Sequence, residues 1–132
     1  RMQKDDGRVV SNFINQAISS KPLTVYGNGK QTRAFCYISD MVDGIIRAML
    51  SPNTSGEVIN LGNPGEHTIL ELAIMIKEMT NSSSKITFEQ LPIDDPKRRK
   101  PAIEKALKLL GWEPKVALEK GLERTIKYFQ NV

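Results

Sequence analysis

The chain has 132 residues, a formal net charge of +4 and an apolar share of 39%, which describe one globular domain over residues 1–132. Its single cysteine, Cys36, excludes an internal disulfide, and together with the single histidine, His67, it provides too few ligands for a cysteine/histidine zinc site, so no metal is expected. No apolar run approaches the ~20 residues that cross a bilayer, and the few aromatic residues do not interleave with a basic stripe. Neither membrane contact by this segment nor nucleic-acid binding is therefore expected.

The first half of the chain predicts a helix followed by two strands. Apolar residues recur at helical spacing over residues 8–20. Arg8 falls in the first turn of this helix, where the helix dipole disfavours a cation, so an external partner for Arg8 is expected. A strand at residues 23–26, a glycine turn at residues 27–29 and a second strand at residues 32–38 follow, because Asn-Gly between β-prone runs indicates a tight turn.

The remaining elements follow from the same periodicities and end signals. They are a helix with apolar residues at positions 42, 45, 46 and 49, a short buried strand at 57–61, a helix that starts at Thr68 with a Thr68/Glu71 capping box, a half-buried strand at 85–89, a short helix ended by Gly111, and a last helix over 118–129. Such a mixture predicts a small α/β domain of the α+β-like, lobe type.

Two nucleotide-related motifs are excluded by their context. Tyr26-Gly-Asn-Gly-Lys30 has the Tyr-x-x-x-Lys spacing of short-chain dehydrogenases, but that chemistry requires a helix, and two glycines with an asparagine predict a turn. A Walker phosphate loop requires Ser or Thr after the lysine, where this chain has Gln31. A dinucleotide fingerprint requires glycine at position 32, where this chain has Thr32.

Charge is concentrated in one loop. Residues 97–100 are four consecutive cations, preceded by Asp94 and Asp95, which we expect to fix the loop by local ion pairing. Arg99 is the member best suited to a ligand, because a guanidinium holds a phosphate or carboxylate with two parallel hydrogen bonds. From spacing alone, a solvated loop is an equally good interpretation.

Several segments together resemble one family. Residues 24–35, the segment Asn60-Leu-Gly-Asn-Pro64, the triplet Arg99-Lys-Pro101 and the segment Leu109-Leu-Gly-Trp-Glu-Pro114 are similar to the C-terminal substrate-binding lobe of UDP-glucuronate decarboxylases (UDP-xylose synthases). These enzymes are extended short-chain dehydrogenases that act on nucleotide sugars. The resemblance covers essentially the whole chain and implies a nucleotide-sugar-binding domain from which the Rossmann half is absent.

The resemblance also implies contacts at the nucleotide end of a bound UDP-sugar. Thr24 and Tyr26 would line the uracil and ribose, Arg33 would contact the ribose or diphosphate, and Asn60 would lie near the nucleotide.

Further contacts are implied toward the sugar and the cofactor. Arg8 and Val9 would contact the nucleotide sugar, Arg8 and Gln3 would reach the NAD side of the cleft, and Arg99 would hold the diphosphate–sugar end close to the glucuronate carboxylate. In the family reaction NAD oxidises C4 of the sugar, the β-keto acid loses carbon dioxide, and the hydride returns to give UDP-xylose.

The family's catalytic residues lie in its N-terminal half, and none is expected in this chain. Because it starts at Arg1 rather than Met, we expect it to be a piece of a longer enzyme. Alone it should be inactive, with NAD held mainly by the missing half.

Two alternatives stay open: a lobe of a dTDP-glucose dehydratase or UDP-sugar epimerase, and a stand-alone binding or dimerisation module without catalysis. A homodimer is expected. The expected compartment is the cytoplasm, or the Golgi lumen if the parent protein carries an N-terminal anchor.

Overall fold

The computed structural model describes residues 7–132, which form a mixed α/β fold as predicted. Within this range the elements in chain order are α1 (Val9–Ile18), β1 (Leu23–Tyr26), β2 (Thr32–Ala34), α2 (Ile38–Leu50), β3 (Glu66–Thr68), α3 (Ile69–Met79), β4 (Ile86–Glu89), α4 (Glu104–Leu110) and α5 (Leu118–Gln130). None of the helices between residues 7 and 132 has the length and apolarity that crossing a membrane requires.

Local end signals determine where several helices begin and end. The capping box at the start of α3 is confirmed: the Thr68 hydroxyl accepts from the Glu71 amide at 3.1 Å, and the Glu71 carboxylate accepts from the Thr68 amide at 2.9 Å. Gly111 ends α4 in the left-handed conformation with φ 57°, as its position after the last apolar residue predicts.

The four strands form two separate two-stranded sheets among the described residues. Strand β1 runs parallel to β4, with Leu23 opposite Ile86, whereas β2 runs antiparallel to β3, with Arg33 opposite His67. The strands on either side of the glycine turn therefore do not pair with each other. Strand β2 is also shorter than predicted and ends at Ala34, because the next residues lead into α2.

The core lies between α1, α3, α5 and the buried face of β1. Apolar residues at helical spacing supply most of it, as predicted from their periodicity. The fully enclosed members include Phe13, Ile14, Leu23, Val25, Leu72, Ala73 and Ile76. Met79, expected at the same face of α3, lies at its end and is 37% exposed.

The prediction of a strand at residues 57–61 is wrong. This segment forms no ladder with another strand among residues 7–132, and Val58 is 80% exposed. A strand requires a neighbour to accept and donate its backbone hydrogen bonds, and neither of the two described sheets includes this segment. The strand β3 forms a few residues later instead.

Helix α2 places its apolar stripe on the outside. Val42, Ile45, Ile46 and Met49 are all exposed, with Met49 at 77%. The opposite face packs through Gly44, where an added Cβ would lie 3.0 Å from side-chain atoms of Leu61 and Trp112.

The buried carboxylate of Asp40 connects α2 to the segment before α5. It accepts from the amides of Lys115 and Val116 at 3.0 and 2.9 Å, while the Asp40 carbonyl accepts from the Trp112 indole at 2.8 Å. A helix whose inner face is secured in this way, and whose outer face is apolar, is typical of one that contacts a further surface.

The turn between β1 and β2 requires glycine at position 29. Gly29 has φ 72°, and an added Cβ would lie 2.9 Å from side-chain atoms of both Val25 and Leu70. We expect Gly29→Ala to lower the free energy of unfolding by about 2–4 kcal/mol, combining backbone strain with overpacking.

The matched control is Gly56→Ala, since Gly56 has φ 73° but open space around it. Urea unfolding should give a loss of only about 1–2 kcal/mol for this control. Equal losses for the two variants would contradict the packing explanation.

Candidate functional site

A cleft of about 1270 Å³ lies between the start of α1, strands β1 and β2, and the loop at residues 91–101. Its volume exceeds the ~300–1,000 Å³ of an ordinary small-molecule pocket, and it accommodates an extended ligand. The surface combines apolar side chains with several cations, so it suits a molecule that carries both a ring and negative charge.

One wall of the cleft is the exposed edge of β1. Gln16 of α1 fixes Thr24 at this edge: its amide nitrogen donates to the Thr24 hydroxyl at 3.2 Å, and its amide oxygen accepts from the Thr24 amide at 3.1 Å. Tyr26 follows at 44% exposure, with its ring available at the rim. Position and exposure make Tyr26 a stacking surface for a planar ring.

The glycine turn is held in place from inside. The buried Gln31 side chain donates to the Tyr26 carbonyl at 2.8 Å, and the Leu70 amide at the start of α3 donates to the Gly29 carbonyl at 3.1 Å. Tyr26 and Lys30 thus lie in a strand and a turn rather than on one helical face. The Tyr-x-x-x-Lys spacing is accidental here, as predicted.

Arg33 on β2 reaches the cleft but is largely engaged by protein groups. One terminal nitrogen donates to the carbonyls of Thr32 and Pro96 at 2.8 and 2.7 Å, and the other donates to the Asp95 carboxylate at 2.6 Å. The expectation of local pairing is thus wrong for Asp95, because its partner lies 62 positions away in sequence. Arg33 binds the loop to the sheet.

Glu66 on β3 makes a second connection to the same loop. Its two oxygens accept from Nε and Nη2 of Arg98 at 2.6 and 2.7 Å, and Oε1 also accepts from the Thr32 hydroxyl at 3.1 Å. These bonds, foremost those from Arg98, lower the pKa of Glu66 to about 2. The carboxylate therefore stays ionised at neutral pH.

Arg99 and Lys100 line the cleft beside these two ion pairs. Within residues 7–132, neither side chain forms an ion pair or hydrogen bond. Arg33 and Arg98 have carboxylate partners, whereas Arg99 presents an uncompensated guanidinium. Of Arg99 and Lys100, only the guanidinium of Arg99 can hold a phosphate or carboxylate with two parallel hydrogen bonds.

Most of the residues predicted from the sequence meet at this cleft. Six line it: Arg8, Val9, Thr24, Tyr26, Arg33 and Arg99. Asn60 is exposed and does not line it, whereas its neighbours Leu61 and Gly62 do. Gln3 lies outside the described residues. Arg8 is the N-cap residue of α1, at the positive end of the helix dipole where it was expected.

Several residues that shape the cleft carry no recognisable sequence signal. Gln16 and Gln31 act through hydrogen bonds to residues eight and five positions away, and Asp95 and Glu66 act through pairs more than thirty positions apart. Helical spacing placed position 16 next to buried residues, but nothing indicated its partner on β1.

The cleft contains a thiol but no activated nucleophile. Cys36 lines it, and burial, assisted by the nearby Asp40 carboxylate, raises the pKa of the thiol, so it is protonated at neutral pH. No cluster of metal-ligating side chains occurs in the described part of the chain.

The described glycine turn is not a dinucleotide-binding loop. It leads from β1 into β2 and not into a helix, so it lacks the strand–turn–helix arrangement that such a loop requires.

Comparison with known proteins finds a family model that matches part of the chain and relatives that match nearly all of it. Residues 1–62 match the model of the NAD dependent epimerase/dehydratase family. The UDP-glucuronic acid decarboxylases of Xenopus tropicalis and Danio rerio are 55% and 57% identical to the chain, in each case over 98% of the chain and 30% of the relative. The chain thus spans about 30% of the length of these relatives.

A solved structure has a similar fold over nearly the whole chain. The UDP-glucuronic acid 4-epimerase of Bacillus cereus, in complex with UDP-glucuronic acid and NAD, matches with a TM-score of 0.90 and 33% identity over 98% of this chain and 41% of that one. The resemblance to UDP-glucuronate decarboxylases is confirmed, and so is the fold class.

Glu66 allows a pH test of the contact between sheet and loop. Its folded-state pKa is depressed from 4.5 to about 2, so its stabilising contribution is complete above about pH 4.5 and is lost as the pH falls through about 2. Glu66→Gln should therefore lower the free energy of unfolding at neutral pH, and the difference from wild type should shrink between about pH 4.5 and pH 2.

Urea unfolding across this range measures the difference. Glu123, whose pKa is also lowered to about 2, by Lys120 and Lys127 on α5, is the matched site outside the cleft, and Glu123→Gln should show the same trend. A difference for Glu66→Gln that stays constant down to about pH 2 would contradict the ion-pair account.

Proposed function

We propose that this chain is the UDP-sugar-binding lobe of an NAD-dependent UDP-glucuronate decarboxylase that makes UDP-xylose. The observation that carries the proposal is the cleft, where six residues implied by the family resemblance lie together in a chain 55–57% identical to such enzymes. The chain as it stands is proposed to be one lobe over residues 1–132, and inactive alone.

The proposed ligand fits the cleft by charge and shape. The uracil and ribose would lie along the edge of β1, against Thr24 and the exposed ring of Tyr26, with Arg33 and Arg8 near the phosphates and Val9 beneath the sugar. Arg99, the guanidinium without a carboxylate partner in the described residues, would hold the diphosphate and the glucuronate carboxylate. Each of these groups matches an anionic or planar part of UDP-glucuronate.

The remainder of the enzyme would cover the outer face of α2. This face exposes Val42, Ile45, Ile46 and Met49. The segment 57–61, which joins no sheet among the described residues, follows it. In the Xenopus tropicalis relative, about 70% of the length lies outside the match, which is enough protein to cover this face. We propose that this remainder is a Rossmann half, which holds NAD with a minor contribution from Arg8 and Gln3 and supplies the catalytic residues.

When bound, NAD provides the reversible oxidation at C4 of the sugar that permits loss of carbon dioxide. The chain's own residues orient the sugar and neutralise its charges. We propose a homodimer for the complete enzyme and the cytoplasm as its compartment, with the Golgi lumen as the alternative if an N-terminal anchor is present.

One alternative within the same family is supported by a specific observation. A UDP-glucuronic acid 4-epimerase has the same fold over nearly the whole chain, and its structure holds UDP-glucuronic acid. The same lobe would then serve epimerisation without loss of carbon dioxide, or the dehydration of dTDP-glucose. A non-catalytic dimerisation module is the third candidate, which the exposed α2 face would also fit.

Product analysis separates these candidates. The complete protein, supplied with UDP-glucuronic acid and NAD, should release carbon dioxide and UDP-xylose, because a ketone β to the carboxylate permits decarboxylation. The 132-residue chain under the same conditions should give neither product. Mass spectrometry of the nucleotide sugars and capture of labelled carbon dioxide measure both.

Three results would contradict the proposal in different ways. UDP-galacturonic acid without carbon dioxide would indicate the epimerase. Turnover of dTDP-glucose alone would indicate the dehydratase. UDP-xylose formed by the 132-residue chain would show that the catalytic residues lie within it.

A further inference from the structure

We propose that Glu66 and Asp95 are positioning residues for Arg99, acting through two ion pairs that attach the loop at residues 91–101 to the sheet β2–β3. This loop is called the strap below. The inference rests on the proposed function, because it assigns to the strap the task of presenting Arg99 to a nucleotide sugar.

The first attachment is at the centre of the strap. Asp95 accepts from Arg33, the Pro96 carbonyl accepts from the same guanidinium at 2.7 Å, and the Lys97 carbonyl accepts from the Thr32 amide at 3.0 Å. Three consecutive strap residues are thus bound to β2. The Arg33 side chain is only 16% exposed, so solvent screens this contact weakly.

The second attachment lies one residue before Arg99. Arg98 is bound by both oxygens of Glu66, in the two-pronged geometry that fixes the orientation of a guanidinium as well as its distance. Glu66 is itself oriented by the Thr32 hydroxyl, and β3 pairs with β2 in register. The pair therefore restrains the backbone next to Arg99.

The two ends of the strap are seated against glycines. At one end Leu91 lies against Gly27, where an added Cβ would be 3.4 Å away, and at the other Pro101 lies so close to Gly62 that an added Cβ would be 2.8 Å from its ring. Position 62 must therefore lack a side chain. Fixed ends and two central ion pairs leave the strap few other conformations.

This arrangement assigns different tasks to neighbouring cations. Arg33 and Arg98 hold the strap and are neutralised by carboxylates, while Arg99 faces the cleft with no such partner in the described residues. A preorganised guanidinium loses little entropy when it binds an anion, whereas one on a loose loop must first be ordered. Removing either carboxylate should therefore weaken binding although neither touches the ligand.

The test compares variants of the complete protein in steady-state turnover of UDP-glucuronic acid. Glu66→Gln should raise KM about fivefold, because this ratio corresponds to the loss of one of the stronger solvent-exposed ion pairs. The value of kcat should change less than about twofold. Asp95→Asn should also raise KM, because it releases the centre of the strap from Arg33. Glu123→Gln on α5 loses an equivalent carboxylate far from the strap and should leave KM unchanged.

A second readout follows the strap directly. Hydrogen exchange should accelerate at the Thr32 amide and within the strap for Glu66→Gln and Asp95→Asn, but not for Glu123→Gln. Arg98→Gln should match Glu66→Gln, and the double variant should have a KM close to that of either single one.

If the KM increases of Glu66→Gln and Arg98→Gln multiplied in the double variant, Glu66 and Arg98 would act independently, and the inference would be overturned. The inference would also be overturned if the wild type turned over UDP-glucuronic acid and both Glu66→Gln and Asp95→Asn had the KM of wild type. That result would leave the proposed function intact. A wild type without any turnover of UDP-glucuronic acid would contradict the proposed function, and the inference with it.

Discussion

The candidate site depends on one guanidinium. Arg33 extends from β2 to two carbonyls and the Asp95 carboxylate, and it thereby joins parts of the chain that are 62 and 63 residues apart. Planar, forked donors suit this task, because one side chain satisfies several acceptors in a fixed geometry. Without it, the strap would keep the Glu66–Arg98 pair and its seated ends, but its contact with β2 would be reduced to the backbone hydrogen bond between Thr32 and Lys97.

Local signals predicted most helices but not the tertiary pairing. The capping box at Thr68, the left-handed Gly111 and the apolar periodicity of α1, α3 and α5 each depend on residues within one or two turns, so they could be found in the sequence. The pairing of β1 with β4, and of β2 with β3, joins residues more than thirty positions apart. No local pattern carries that information.

The residues of the cleft were predicted for a different reason. Thr24, Tyr26 and Arg99 came from the family resemblance, and the structure brings them together. Their supports, Gln16 and Glu66, could not be predicted, since each depends on a partner brought close by folding. The wrong strand at residues 57–61 has a related cause: a strand-like sequence forms a strand only where a neighbour is present.

Binding of UDP-glucuronic acid by Arg99 is the central claim of this account. Isothermal titration of UDP-glucuronic acid into the complete protein tests it most directly, comparing wild type with Arg99→Ala and with Lys97→Ala. The second variant removes a charge two positions from Arg99 that does not line the cleft. The account predicts that Arg99→Ala weakens binding roughly tenfold or more, the effect of losing a charged hydrogen bond, and that Lys97→Ala binds nearly as wild type. Equal affinity for wild type and Arg99→Ala would contradict it.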